Sequence, residues 1–120
     1  NKAIKKLHGS ADRVLLDAPC SGLGVLRRNP DAKWKLNPDF IDRVVLEQQQ
    51  ILTQYAHMVK PGGKLIYITC SILPQENEEQ IVAFKDTEIG KEFTLEKEQH
   101  LWPAANGFDG FYMARLLRKV

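Results

Sequence analysis

Two cysteines are the residues of this chain best suited to covalent chemistry, and the sequence contains no others. Cys20 follows an Asp-Ala-Pro run, and Cys70 follows a threonine. A thiolate is a strong nucleophile, so one thiol could attack a substrate while a second nearby group assists release of the product. Cysteines so far apart form neither a CxxC zinc motif nor a disulfide framework, which favours reduced thiols and a cytoplasmic protein.

Each cysteine follows a predicted strand. Residues 13–17 begin with a long-stemmed arginine, continue through three apolar residues without polar alternation and end in an acid, which is typical of a strand in a parallel sheet that is covered on both faces. Residues 60–63 form a predicted turn and residues 64–69 a second strand. Ligands bind at the carboxyl ends of strands in an open α/β sheet. We therefore expect Asp17 and both thiols to meet at one edge of the sheet.

The elements between and after these strands follow ordinary patterns. A helix is predicted to start at Asn37-Pro38 and to end near Val59, which makes a right-handed strand–helix–strand unit. Its glutamines 48–50 and His57 are expected at the surface. A second helix is predicted behind the acidic residues 76–79, whose glutamates suit a helix N-terminus and solubility better than metal binding. Residues 93–95 form a short strand, and residues 111–117 a last strand at the sheet edge.

The long connection over residues 18–37 is the candidate nucleic-acid surface. It carries Arg27, Arg28, Lys33 and Lys35, with Trp34 between the two lysines. Basic groups with an interleaved aromatic side chain suit phosphate contacts and base stacking. The composition equally allows Trp34 to pack on the domain while the charges face water.

Length and composition limit the function classes. A chain of 120 residues with 43% hydrophobic content supports one domain, and a net charge of +2 does not by itself indicate nucleic-acid binding. No membrane span or signal peptide is predicted. The chain begins at Asn1, and its first strand resembles a middle strand of a larger sheet, so we expect an excised piece of a longer domain.

Five local motifs, in this order, resemble the Sun/Nop-type RNA cytosine-5 methyltransferases over residues 12–118. They are Asp-Ala-Pro-Cys-Ser-Gly at 17–22, Arg-Arg-Asn-Pro-Asp at 27–31 with Lys-Trp at 33–34, Thr-Cys-Ser at 69–71, Glu-Asn-Glu at 76–78, and Gly-Phe-Asp-Gly-Phe-Tyr at 107–112. The resemblance implies a Rossmann-like α/β methyltransferase sheet, mostly parallel with an antiparallel edge strand, that uses S-adenosylmethionine. Residues 1–120 would form a single partial catalytic domain, the C-terminal portion of that fold.

The resemblance also implies roles for particular residues. Cys70, in Thr-Cys-Ser, would attack carbon 6 of cytosine, and Cys20, in Pro-Cys, would assist release. In DNA cytosine-5 methyltransferases the Pro-Cys residue attacks instead, so this division of roles rests on the resemblance. Asp17 would contact both the cytosine edge and the cofactor, with Pro19 also at the cofactor. The RNA, ribosomal or transfer, would be bound through the basic-aromatic loop: Arg27, Arg28, Lys33 and Trp34.

Two features of the resembling enzymes have no counterpart in the sequence: the glycine-rich cofactor loop and a basic substrate residue, both of which lie upstream. We therefore expect the chain alone to be inactive and to bind little cofactor until an N-terminal part completes the site. Two other interpretations stay open. One is a non-catalytic RNA-binding or assembly module that uses the loop at residues 27–35, and the other is a redox or metal protein.

Overall fold

The computed structural model describes residues 5–19, 38–71, 73–101 and 110–120. Within them lie four strands and two α-helices. The elements are β1 (Ala11–Asp17), α1 (Pro38–Ala56), β2 (Val59–Thr69), α2 (Glu78–Lys85), β3 (Phe93–Leu101) and β4 (Phe111–Arg118). Short 3-10 turns precede α2 at Pro74–Glu76 and β3 at Gly90–Glu92. No helix in these residues is long and apolar enough to cross a membrane.

The four strands form one sheet in the order β1-β2-β4-β3. β1 and β2 are parallel and are joined through α1, which confirms the predicted strand–helix–strand unit. The antiparallel part is larger than the expected single edge strand, because β4 pairs antiparallel with both β2 and β3. β4 therefore lies inside the described sheet, and β3 forms its edge. β3 is also longer than the predicted residues 93–95, since it pairs with β4 along its whole length.

Both helices pack on one face of the sheet. α1 presents a buried stripe at four-residue spacing, in which Leu52 and Ala56 are fully buried. α2 adds Ile81 and Phe84 to the same apolar core. The core side chains of the strands alternate along the chain, as period-two geometry requires: Val14, Leu16, Leu65, Tyr67, Tyr112, Ala114 and Leu116.

The first strand differs from the expectation of a strand covered on both faces. Val14 and Leu16 are buried against the helices, whereas Leu15, on the other face, is 63% exposed. β1 is also the first strand in the sheet order, with β2 its only partner among the described residues. The apolar run therefore predicted the strand correctly, but Leu15 leaves the second face of that strand exposed.

The predicted turn at residues 60–63 is built into the start of β2. Ala11 pairs with Val59 and Arg13 with Lys64, so a single residue of β1 faces four residues of β2. This irregularity bulges the chain outward, and Gly62 accommodates it at φ +84°, where a side chain would be strained. Regular pairing from Lys64 onward then delivers the end of β2 beside the end of β1.

Candidate active site

The carboxyl ends of β1 and β2 meet at one edge of the sheet, here called the site edge. Asp17 pairs with Ile68, and the Ala18 backbone N–H donates to the Ile68 carbonyl at 2.9 Å. Cys70 lies two residues beyond Ile68, so the Asp17 carboxylate and the Cys70 thiol both follow this last pair of the ladder. Both side chains are exposed, and Cys70 is a free thiol. The site edge therefore presents a thiol and a carboxylate to the same region of solvent.

Several predicted site residues lie outside the described residues. Pro19 is exposed and is the last described residue before residues 20–37, which the structure does not describe. The second predicted thiol and the basic-aromatic loop follow it: Cys20, Arg27, Arg28, Lys33 and Trp34.

The turn that carries Cys70 is held by buried polar side chains on both sides of the thiol. The Thr69 hydroxyl donates to Asn77 Oδ1 at 2.5 Å and accepts the Ser71 backbone N–H at 3.2 Å. Asn77 Nδ2 in turn donates to the Ser71 carbonyl at 2.8 Å. All three residues are 1% exposed or less. The backbone around the exposed thiol is thus fixed by groups that water does not reach.

Glu76 lies at the centre of this arrangement, contrary to its expected role as a solubilising residue at the helix start. Its side chain is fully buried, and one carboxylate oxygen accepts the Ser71 hydroxyl. Its backbone carbonyl accepts the Tyr67 hydroxyl at 2.7 Å. A buried carboxyl group needs such partners, because removal from water without them is costly. Glu78 and Glu79, in contrast, occupy the first turn of α2 as predicted.

Gln48 is the second correction to the sequence analysis. It was expected at the surface with its neighbours, yet it is fully buried, whereas Gln50 is exposed. Its amide nitrogen donates to the Pro19 carbonyl at 2.8 Å and to Glu76 Oε1 at 3.1 Å. The sequence does contain a signal for this position, since Gln48 stands four residues after Val44 and four before Leu52 in the buried stripe. A polar residue within an apolar stripe indicates a buried hydrogen-bonding role.

A further polar cluster lies beside the Cys70 turn, where the start of β4 faces the end of β2. Tyr112 pairs with Thr69 across the sheet and donates its hydroxyl to Glu98 at 2.5 Å. Burial, followed by the hydrogen bond to the Glu98 carboxylate, raises the pKa of Tyr112, which therefore stays protonated. His100 packs on the Tyr112 ring at 4.9 Å and reaches Glu78 at 3.1 Å.

The acidic, cysteine and histidine side chains of the described residues are dispersed over the fold. No group of three or more His, Cys, Asp or Glu side chains among these residues is arranged to hold a metal ion. Of the glutamates at residues 76–79, Glu76 bonds to serine and glutamine and Glu78 pairs with His100.

A comparison with known families matches residues 1–117 to 16S rRNA methyltransferase RsmB/F. This match covers nearly the whole chain, including both strands that end at the site edge. The chain belongs to the RsmB/F family. The predicted resemblance to the Sun/Nop-type enzymes is thereby confirmed.

Relatives within the RsmB/F family are substantially identical to this chain. Ribosomal RNA small subunit methyltransferase B of Shewanella oneidensis is 45% identical over 115 residues, which is 89% of this chain and 27% of the relative. The protein of the same name from Pasteurella multocida is 44% identical over an alignment of 128 positions, which covers 98% of this chain and 28% of the relative. The chain thus spans little more than a quarter of the length of these relatives.

Solved structures agree with the RsmB/F assignment. NSun6 from Pyrococcus horikoshii, crystallised with SFG, is 27% identical at a TM-score of 0.79, covering 98% of this chain and 32% of that one. A methyltransferase homolog protein from the same organism is 28% identical at a TM-score of 0.75, covering 98% and 42%. The predicted Rossmann-like α/β methyltransferase fold is confirmed.

Proposed function

We propose that this chain is the C-terminal part of the catalytic domain of an RNA cytosine-5 methyltransferase and that Cys70 is its nucleophile. The observation that carries the proposal is the Cys70 turn, where an exposed thiol stands between two residues fixed by buried hydrogen bonds. A nucleophile must approach its target atom within a narrow range of distance and angle, and a turn held in this way provides such a position.

The proposed reaction begins with attack of the Cys70 thiolate on carbon 6 of cytosine. The new carbon–sulfur bond breaks the aromaticity of the ring and makes carbon 5 nucleophilic, while hydrogen bonding at nitrogen 3 absorbs the developing charge. Carbon 5 then takes the methyl group that S-adenosylmethionine would supply when bound, which leaves S-adenosylhomocysteine. A base removes the proton from carbon 5 and keeps it, and the electron pair expels the thiolate from carbon 6. The products are 5-methylcytosine, S-adenosylhomocysteine and the free thiolate.

The residues at the site edge fit one side of a sulfonium cofactor. The exposed Asp17 carboxylate suits its positive groups, and an open cavity of about 340 Å³ lies beside Asp17, lined also by Pro19, Ile51 and Tyr55. This volume is at the lower end of the range for small-molecule pockets. We therefore assign Asp17 and Pro19 to the cofactor side, with Asp17 also contacting the cytosine edge.

The remaining assignments rest on the family. Cys20 would assist product release, and the substrate would be small-subunit ribosomal RNA, bound through Arg27, Arg28, Lys33 and Trp34. We expect the enzyme to act in the cytoplasm. A cofactor site also needs a glycine-rich turn at a helix N-terminus, which we assign to the longer protein. Calorimetry should therefore detect little binding of S-adenosylmethionine to these 120 residues alone.

Substitution of each cysteine in the longer protein, supplied with RNA and cofactor, tests the roles of the two thiols. Cys70→Ala removes the attacking atom, so no covalent species forms. Cys20→Ala leaves attack and methyl transfer intact but slows release, so a protein–RNA adduct accumulates. The readout is a slow-migrating, protease-sensitive RNA band on a denaturing gel.

The expected result is a band with Cys20→Ala and none with Cys70→Ala. A band that appears only with Cys70→Ala would make Cys20 the nucleophile, as in the DNA enzymes. If neither substitution affects methylation, the thiols are structural and the proposed chemistry is wrong.

A further inference from the structure

We infer that Gln48 is a positioning residue whose buried amide ties the turn carrying Cys70 to the turn leading into Cys20. The inference rests on the proposed function, since it gives both turns a part in one reaction. The donor bonds of Gln48 do not go to the Cys70 thiol. Gln48 acts through the Pro19 carbonyl on one side and through Glu76 on the other.

The amide nitrogen of Gln48 has two hydrogens, and it donates to acceptors in two different segments of the chain. One bond, of 2.8 Å, goes to the carbonyl of Pro19, which belongs to the peptide bond leading into Cys20. The other, of 3.1 Å, goes to Glu76 Oε1. Gln48 therefore holds the Pro19 carbonyl, from which the chain continues to Cys20.

Glu76 transmits the second bond to the Cys70 turn. Its other carboxylate oxygen accepts the hydroxyl of Ser71, the residue immediately after Cys70. The same hydroxyl oxygen accepts the backbone N–H of Leu73 at 3.0 Å. Gln48, Glu76 and Ser71 thus form a continuous buried chain of hydrogen bonds, with Gln48 and Glu76 fully buried and Ser71 only 1% exposed.

The orientation of the Gln48 amide is itself determined by α2. Gln80 donates through Nε2 to Gln48 Oε1 at 3.1 Å and to the Val45 carbonyl at 2.7 Å. Because Gln48 Oε1 accepts a bond, a flipped amide would place a hydrogen against another N–H group. The nitrogen is therefore held toward the two turns. A fully satisfied buried network of this kind rigidifies the groups that it connects.

Such a bridge would matter to a reaction that uses two thiols in succession. The attack step needs one thiol near carbon 6, and the release step needs the second group near the same intermediate. Loss of the bridge should loosen both turns and slow both steps. Loss of Cys20 alone slows release only, so the two defects can be separated.

The test is Gln48→Met in the complete enzyme of which we propose this chain to be part. Methionine preserves the length and approximate volume of the side chain but cannot donate or orient a hydrogen bond. In a single turnover at a temperature where the variant is fully folded, we expect adduct formation to slow roughly ten- to hundredfold, as for an active-site misplacement of about 1 Å. The Gln48→Met/Cys20→Ala pair should form the trapped adduct correspondingly slowly.

Two variants serve as controls. Gln50→Met makes the same substitution at the exposed last glutamine of the run. It should leave the unfolding temperature and the single-turnover rate close to those of the unaltered protein, as most surface changes do. Leu52→Val, one turn further along the buried stripe of α1, destabilises the core without altering a polar contact. It should lower the unfolding temperature while leaving the single-turnover rate of the folded enzyme close to that of the unaltered protein.

The inference is wrong if Gln48→Met forms and resolves the adduct as fast as Gln50→Met, or if its loss of rate follows only the unfolded fraction. Failure of the proposed function gives a different result, because Cys70→Ala would then still methylate RNA whatever Gln48 does. A variant set in which Cys70→Ala is inactive and Gln48→Met is slow in both steps supports both conclusions.

Discussion

Polar side chains are buried at one end of the parallel strands β1 and β2 and exposed at the other end. At the site edge, beside Asp17 and Cys70, the side chains of Gln48 and Glu76 are withdrawn from water and bonded to each other. At the opposite edge, where β1 and β2 begin and which we call the distal edge, polar groups stay in solvent. There Asp12 pairs with Lys60, both largely exposed.

This difference indicates which end of the strands requires exact geometry. Exposed ion pairs are screened by water and salt and hold their partners loosely. A buried network resists any displacement that would leave one member unpaired, because each unpaired buried group costs free energy. The rigid edge is the one that carries the exposed thiol. This contrast makes the following predictions, the first of which removes the central residue of the network.

Glu76→Ala should give the largest loss of stability. It deprives the Gln48 amide and the Ser71 hydroxyl of their shared acceptor. Since both donors are buried, we expect the free energy of unfolding to fall by about 3 kcal/mol. Urea denaturation of the chain, followed by far-UV circular dichroism, measures the difference.

The matched control is Glu79→Ala, which removes an exposed glutamate from the first turn of α2. A surface change of this kind should stay within about 0.5 kcal/mol of the unaltered chain. Equal effects of the two substitutions would mean that Glu76 is solvated and that the contrast between the edges does not exist.

Tyr67→Phe should have an intermediate effect. Its hydroxyl donates at 2.7 Å to the Glu76 carbonyl within the buried network, so its removal should cost about 1 kcal/mol. Tyr112→Phe is the comparison, because its acceptor, the Glu98 carboxylate, is exposed and can bind water instead. We expect the smaller change in urea midpoint from Tyr112→Phe, and the reverse order would contradict the importance of burial.

The sequence predicted the strands and the helix that carry this site better than the buried hydrogen-bond network behind it. Hydrophobic runs and turn residues located β1, α1 and β2, and strand ends are where open α/β sheets bind ligands. Asp17 and Cys70 therefore share an edge as the order of elements required. Their exposure follows from the same position, since each lies where its strand ends.

The network behind the thiol could not be derived from periodicity alone. Glu76 belongs to a 3-10 turn between elements, where no repeating pattern distinguishes an inward from an outward side chain. Its burial depends on Gln48, which lies 28 residues earlier in the chain and was interpreted as one member of a glutamine run. Only the stripe position of Gln48 indicated burial, and its partners become visible only in three dimensions.

His57 gives a pH-dependent prediction at the distal edge. Partial burial, followed by the charge of His8 stacked 5.0 Å away, holds the pKa of His57 below its ordinary value of 6.5. The unfolded chain therefore binds more protons near that pH, and stability should fall as the pH drops through 6.5 toward the folded-state pKa. His57→Gln should flatten this dependence between pH 7.5 and 5.5.

Titration of the imidazole proton signals by NMR measures the same shift directly. His8→Gln should raise the pKa of His57 only part of the way, because burial is the larger cause. A midpoint at or above 6.5 in the unaltered chain would contradict the prediction.

Lys64→Met should have the smallest effect, because it tests an exposed pair. Lys64 Nζ donates to Glu96 at 2.8 Å, and this bond is the main reason that the pKa of Glu96 is lowered. Arg115 also contacts Glu96, at 3.4 Å, so the carboxylate keeps one cation when Lys64 is lost. The pair should stabilise the fold above the unfolded pKa of glutamate, and that contribution is lost as the pH falls through the lower folded value.

Unfolding at neutral pH, in low salt and in 1 M salt, measures the contribution of this pair. Lys64→Met should lower the free energy of unfolding slightly in low salt, and 1 M salt should abolish the difference. A loss as large as that of Tyr67→Phe, or one that salt does not change, would show that this pair is bonded as firmly as the network beside Cys70.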